Sequence, residues 1–185
     1  MIRILGAILF LELVNVSVLP MCAMADSESM KEMDVEAKRE WGKELQGYAI
    51  SITANKAVVA PGESIILTIS LKNVGTEDMR ILRQHLAHYD IEVLGPDGVK
   101  VPLTLYGERI LEGSRESGNS TTILKPGEES SVGIPLNRMF DFTLAGKYAV
   151  SVQRAIWKGA PGIPTLKAIS NKLNLTVDES LASKP

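Results

Sequence analysis

Tyr48-Ala49-Ile50-Ser51-Ile52-Thr53, then Ala60-Pro61-Gly62-Glu63, then Ile65-Ile66-Leu67-Thr68-Ile69-Ser70-Leu71-Lys72 is the stretch that decides the fold. Tyr48, Ile50 and Ile52 alternate with smaller residues, and Ile65, Leu67, Ile69 and Leu71 repeat the pattern, so each run offers one face to a core and the other to water. Proline fixes φ and glycine permits a positive φ between them, which turns the chain sharply. Asn73-Val74-Gly75 closes the second run.

The same grammar continues downstream. Tyr89, Ile91 and Val93 lead into Gly95-Pro96-Asp97-Gly98 and then Val99, Val101 and Leu103, a hairpin signal. A second Pro-Gly-Glu turn at 126–128 precedes Val132, Ile134 and Leu136, where Pro135 lacks the amide hydrogen a central strand needs. Tyr148, Val150 and Val152, then Leu173, Leu175 and Val177, complete the series. About seven short strands with no convincing helix between them predict an all-β, antiparallel immunoglobulin-like β-sandwich over 48–178. Residues 179–185 are expected to be a disordered tail.

Upstream, Arg3 precedes an apolar stretch from Ile4 to Leu11, and Ala23-Met24-Ala25 precedes a sharp rise in polarity, the layout of a signal peptide cleaved after Ala25. Glu12 and Asn15 interrupt the apolar run well short of the roughly 20 residues a spanning helix needs, so no stable membrane span is expected. The expected location is secreted, periplasmic or at the cell envelope. Residues 26–47 read as a charged linker or short helix, with Met30, Met33, Ala37 and Trp41 on one face. Cys22 is the only cysteine and lies within the leader, so the expected mature chain has neither a disulfide nor a thiolate.

Twenty basic against 22 acidic residues give a net charge of -2, which offers no footprint for nucleic acid. His85-Leu86-Ala87-His88 lacks the spacing and the glutamate of a zinc protease, and no calcium loop, nucleophile elbow or phosphate-binding glycine loop is present. No catalytic residue, metal or cofactor is therefore assigned, and the chain reads as non-enzymatic. Ala155 to Pro164 joins two late strands and carries Trp157, while Thr76 to His88 carries Arg83 and His85. Both connections lie at the same end of an immunoglobulin-like sandwich, so Trp157, Arg83 and His85 are the expected ligand-binding residues, for a protein or surface-polymer partner. The third candidate connection is Tyr106 to Ser120.

Leu144-Ala145-Gly146-Lys147-Tyr148-Ala149-Val150-Ser151-Val152 resembles the tyrosine corner of immunoglobulin-like sandwiches. Leu71-Lys72-Asn73-Val74-Gly75, Tyr89-Asp90-Ile91-Glu92-Val93, Pro96-Asp97-Gly98-Val99-Lys100-Val101, Leu124-Lys125-Pro126-Gly127-Glu128 and Gly146-Lys147-Tyr148 together resemble the BsuPI-type proteinase-inhibitor domain family over about residues 56 to 154. That resemblance implies an immunoglobulin-like fold and, as the alternative function, proteinase inhibition. The chain departs from it in the long polar stretch from Tyr106 to Ser120 and in its export signal.

Overall fold

The computed structural model describes residues 39–82, 86–116, 121–157 and 164–182. The expected signal peptide, and the expected helix up to residue 38, lie outside them. Alternating apolar residues build three sheets that are antiparallel except for one short pair. The first has the order β1 (Tyr48–Ala54), β3 (Ile66–Asn73) and β7 (Glu129–Pro135), with β2 (Val58–Val59) falling between β1 and β3 in the chain. The second runs β2, β10 (Leu173–Val177), β8 (Gly146–Trp157) and β5 (Tyr89–Leu94), and β9 (Pro164–Ile169) joins the distal half of β8 beyond β10. β2 is parallel to β10. β4 (Met79–Leu82) and β6 (Thr121–Leu124) form a two-stranded sheet.

Register puts Ile50 opposite Leu71, Ile52 opposite Ile69 and Leu67 opposite Ile134, so one face of the first sheet is continuously apolar. Those side chains share a single core with Val93, Val150, Val152 and Leu175 of the second sheet and with Met79, Ile81 and Leu124 of the third. Each such side chain, fully buried, is worth about 1.5–3 kcal/mol.

Two expectations are corrected. Val99 to Leu103 is no strand: it makes bridges only at Lys100 and Leu103, because Pro102 has no N–H to extend the ladder. Tyr106 to Ser120 is no simple loop, since α1 (Leu105–Glu116) forms there. Thr104 caps it, its Oγ1 accepting from the Gly107 N–H at 3.1 Å, and Gly107, Ile110 and Leu111 supply the inward face at helical spacing. Gly107 sits against α2 (Leu136–Met139) so closely that a Cβ there would lie 2.5 Å from the Met139 carbonyl oxygen.

The two Pro-Gly-Glu turns use one device. Gly62 and Gly127 take φ of 78° and 82°, and the following glutamates, Glu63 and Glu128, accept from the N–H three residues back, Ala60 at 3.0 Å and Lys125 at 2.9 Å. These carboxylates hold turns.

Residues 39–44 are not helical, which limits the helix expected over 26–47. A turn at Gln46-Gly47 folds this segment back along β1: the Leu45 and Tyr48 backbones bond to each other at 2.8 and 3.0 Å, and Gly42 N–H donates to the Ile50 carbonyl at 2.8 Å. Trp41 lies between Arg39 and Lys72, whose charges meet on Glu129. Ala49, Ser51 and Ser70 are buried although they occupy the polar face of the sheet. The Ser51 hydroxyl donates to the Glu40 carbonyl, and Ser70 pairs with Ser131 at 2.8 Å.

Two substitutions test this packing in urea. Gly107→Ala is expected to cost about 1–3 kcal/mol, the range for overpacking, and an unchanged midpoint would refute the close approach of α1 and α2. Gly42→Ala meets backbone, 1.9 Å from the Ile169 carbonyl oxygen, and is expected to speed amide exchange at Leu45 and Gly42 itself by detaching the 39–45 segment.

Candidate functional site

β5 is the terminal strand of its sheet, and its outer edge borders a groove of about 640 Å³. Val101, Leu103, Leu111, Met139 and Phe140 make the apolar wall, while Lys100, Lys167, Asp90 and His88 stand on the rim. The floor is Tyr89 to Ile91 of β5. Lys167 lies 3.8 Å from Asp90, and both are well exposed, so the pair contributes little energy. Among the described residues Lys100 has no ion-pair partner.

Next to the groove, Arg154 is 5% exposed although it occupies the inward register of β8 after Val150 and Val152. Its Nη1 donates to the Tyr89 hydroxyl at 2.6 Å, its Nη2 donates to the Leu82 carbonyl at 2.8 Å, and its guanidinium carbon lies 4.8 Å from the centre of the Tyr89 ring. The guanidinium thus ties the end of β4 to β5 and β8. Asn73 is a second buried polar hub. Its Nδ2 donates to the Glu77 and Leu124 carbonyls, both at 2.8 Å, and its Oδ1 accepts from Gly75 N–H at 2.9 Å, anchoring the start of the connection that leads through β4.

These contacts locate the residues expected to bind. Trp157 ends β8, where it pairs with Pro164, three positions beyond Arg154. Arg83 and His85 lie outside the described residues, but the residue before them, Leu82, is held by Arg154, and Tyr89 pairs with Arg154 across the ladder. The flanks of the two connections therefore meet at one end of the second sheet. The third candidate connection, now α1, contributes Leu111 to the groove. Arg154 and the groove wall escaped the sequence reading. The usable signals were an arginine in an otherwise apolar inward register and the Gly107, Ile110, Leu111 spacing.

A smaller hollow of about 430 Å³ at the turn of β2 and β3 carries Glu63 and Asp141. Both acids are engaged in local hydrogen bonds. The hydrogen bond from Lys56, helped by the Ala60 N–H, holds the Glu63 carboxyl below its ordinary range, and Asp141 Oδ1 accepts from Thr143 N–H at 2.9 Å. Among the described residues no group of three or more His, Cys, Asp or Glu could hold a metal ion, and no helix is long and apolar enough to cross a membrane. Comparison with protein-family models and with curated proteins finds no match.

Three phenols titrate above their ordinary value of 10.0. Burial raises Tyr48, Tyr89 and Tyr148; the Arg154 charge partly opposes it at Tyr48 and Tyr89, and the bond to the Leu144 carbonyl partly opposes it at Tyr148, where Asp141 and Asp97 add to it. A phenol whose folded pKa exceeds its unfolded one binds its proton more firmly when folded, so its contribution is complete below pH about 10 and is lost as pH rises through the folded values. Thermal melts from pH 8 upward are expected to stay level to about pH 10 and then fall. Tyr89→Phe is expected to cost about 1.5–3 kcal/mol, because it removes an acceptor from a buried cation, and Tyr148→Phe about 1 kcal/mol, because it removes a neutral bond. Equal costs for the two would disprove the charge-assisted bond at Arg154.

Proposed function

We propose that this chain is an exported, non-enzymatic immunoglobulin-like binding module that recognises a protein or surface polymer at the end of the sandwich carrying Trp157, Arg83 and His85. The observation that carries this reading is the Arg154 clamp on Leu82 and Tyr89, which holds the flanks of both connections together at one end of the second sheet. Recognition loops need such a scaffold, because binding is weakened by whatever ordering it must impose. The immunoglobulin-like part of the reading is supported by two mainly antiparallel sheets that contribute to one core and by the corner at Tyr148, whose hydroxyl donates to the Leu144 carbonyl at 2.7 Å while its ring packs, tilted, against Phe142 with centroids 4.6 Å apart.

Export predicts that the mature protein begins at Asp26, which N-terminal sequencing of the secreted or periplasmic fraction checks; an intact Met1 would sink it. Against a panel of proteases the chain at micromolar concentration is expected to inhibit none, and inhibition would replace this reading with the BsuPI-type one. Trp157→Ala combined with Arg83→Ala is expected to abolish capture of partners from the native extracellular fraction without altering the melt. Undiminished capture by that variant would refute the loop surface.

A further inference from the structure

We propose that the groove beside β5 is a peptide-binding slot in which an extended segment of a partner protein, apolar at alternate positions and acidic between them, adds to the second sheet as a new edge strand. The inference rests on the binding-module reading and names the partner's chemistry.

The direction of the β5 backbone carries the argument. Val101 N–H donates to the Val93 carbonyl at 2.8 Å, so the amide groups of Val93 face away from β8, and by the period of two those of Ile91 do as well. The residue opposite Ile91 on β8 agrees: Val152 gives its N–H to Ser170 Oγ at 3.0 Å, and its carbonyl accepts from Ser170 N–H at 2.9 Å, both on the far side of the strand. Ile91 and Val152 are therefore a pair that exchanges no hydrogen bonds with each other. Among the described residues no backbone group bonds to the outward N–H or C=O of Ile91. Segment 99–101 covers the edge only as far as Val93, since Pro102 ends the pairing and Leu103 turns away to bridge to Phe140. The divergence of those two lines opens the groove.

An unpaired donor and acceptor at strand spacing, beside an apolar wall, match one chemistry best. Another extended backbone satisfies both groups at once, and its alternate side chains fall on the wall and on the rim. At about 3.3 Å per residue, two or three residues span the open edge centred on Ile91, beyond the cover that ends with Val93. Side chains turned inward meet Leu103, Leu111 and Phe140. Those turned outward meet Lys100 and Lys167, of which only Lys167 has a carboxylate partner among the described residues, in Asp90. The rim thus carries an excess positive charge, which selects acidic residues at the outward positions.

The full chain, labelled with nitrogen-15, is titrated with a short, end-blocked alternating Glu/Val peptide, with its Lys/Val counterpart, and with the Glu/Val peptide N-methylated at its central amide. The Glu/Val peptide is expected to shift the Ile91, Leu103 and Leu111 resonances and to slow exchange of the Ile91 amide. The N-methylated peptide is expected to bind about tenfold more weakly, the loss of one well-made hydrogen bond, and the Lys/Val peptide more weakly than the Glu/Val one. Leu111→Arg should block the slot, and Lys100→Glu, at an exposed position that bonds to Leu94 only through its backbone bridge, should reverse the preference between acidic and basic peptides. Absence of saturable shifts at Ile91 with every peptide, equal binding of the N-methylated peptide, or an unchanged preference in Lys100→Glu would overturn the proposal. Partner capture that depends on Trp157 while all three peptides fail would leave the binding module standing and remove the slot; peptide binding with no loop-dependent capture would do the reverse.

Discussion

The carboxamide of Asn171 is the interaction on which the arrangement of the two larger sheets depends. Its Oδ1 accepts from the Ile52 N–H at 2.7 Å and its Nδ2 donates to the Ile52 carbonyl at 3.1 Å, so one side chain supplies what a neighbouring strand would have supplied. Ile52 lies in a terminal strand against the core, where an unpaired amide would cost about 1–3 kcal/mol. The bond is possible because the strand run beside β8 breaks at Ser170 to Lys172. Ser170 keeps the ladder closed through its own N–H and hydroxyl, and Asn171 is freed to turn to the other sheet.

The rest of the β1 edge is closed by the same logic with different groups. Leu45 bonds to Tyr48, Gly42 to Ile50, and Asn171 to Ile52, which accounts for successive outward-facing residues of the strand. Lacking a Cβ, Gly42 can sit between β1 and the Ile169–Ser170 backbone, so the covering segment and the break in β9 and β10 require one another. A long exposed edge in a β-protein invites pairing with a second chain, and this chain covers its edge with its own N-terminal segment.

The strands that carry the core were legible in the sequence because period two and turn chemistry are local. Tyr48 to Thr53, Ile66 to Lys72, Tyr89 to Val93 and Tyr148 to Val152 all lie in strands of the structure. What was not legible depends on contacts distant in the chain. Val99 to Leu103 has a strand's alternation but loses its partner at Pro102, and α1 is held by Thr104 and by Gly107 against Met139, more than thirty residues on. Arg154 reads as a surface charge until Leu82 and Tyr89, 72 and 65 residues away, are seen to receive it. Of the expected site, only Trp157 falls within the described residues, and it became interpretable through the neighbouring arginine.

The contrast between β1 and β5 bears on how an open edge can be tolerated. At β1 the outward groups of Tyr48 and Ile52 and the outward carbonyl of Ile50 have partners; at β5 the cover ends with Val93, and Ile91 faces the groove. Flat edge-to-edge pairing of two copies needs an unobstructed approach, and here Leu111 of α1 and the Met139–Phe140 segment form a wall beside the strand. A folded domain bringing its own sheet would meet that wall, whereas a single extended segment is narrow enough to lie between the wall and the strand. The helix in the polar stretch after Thr104 thus has a structural place at this edge: through Leu111 it walls one side of the groove beside β5.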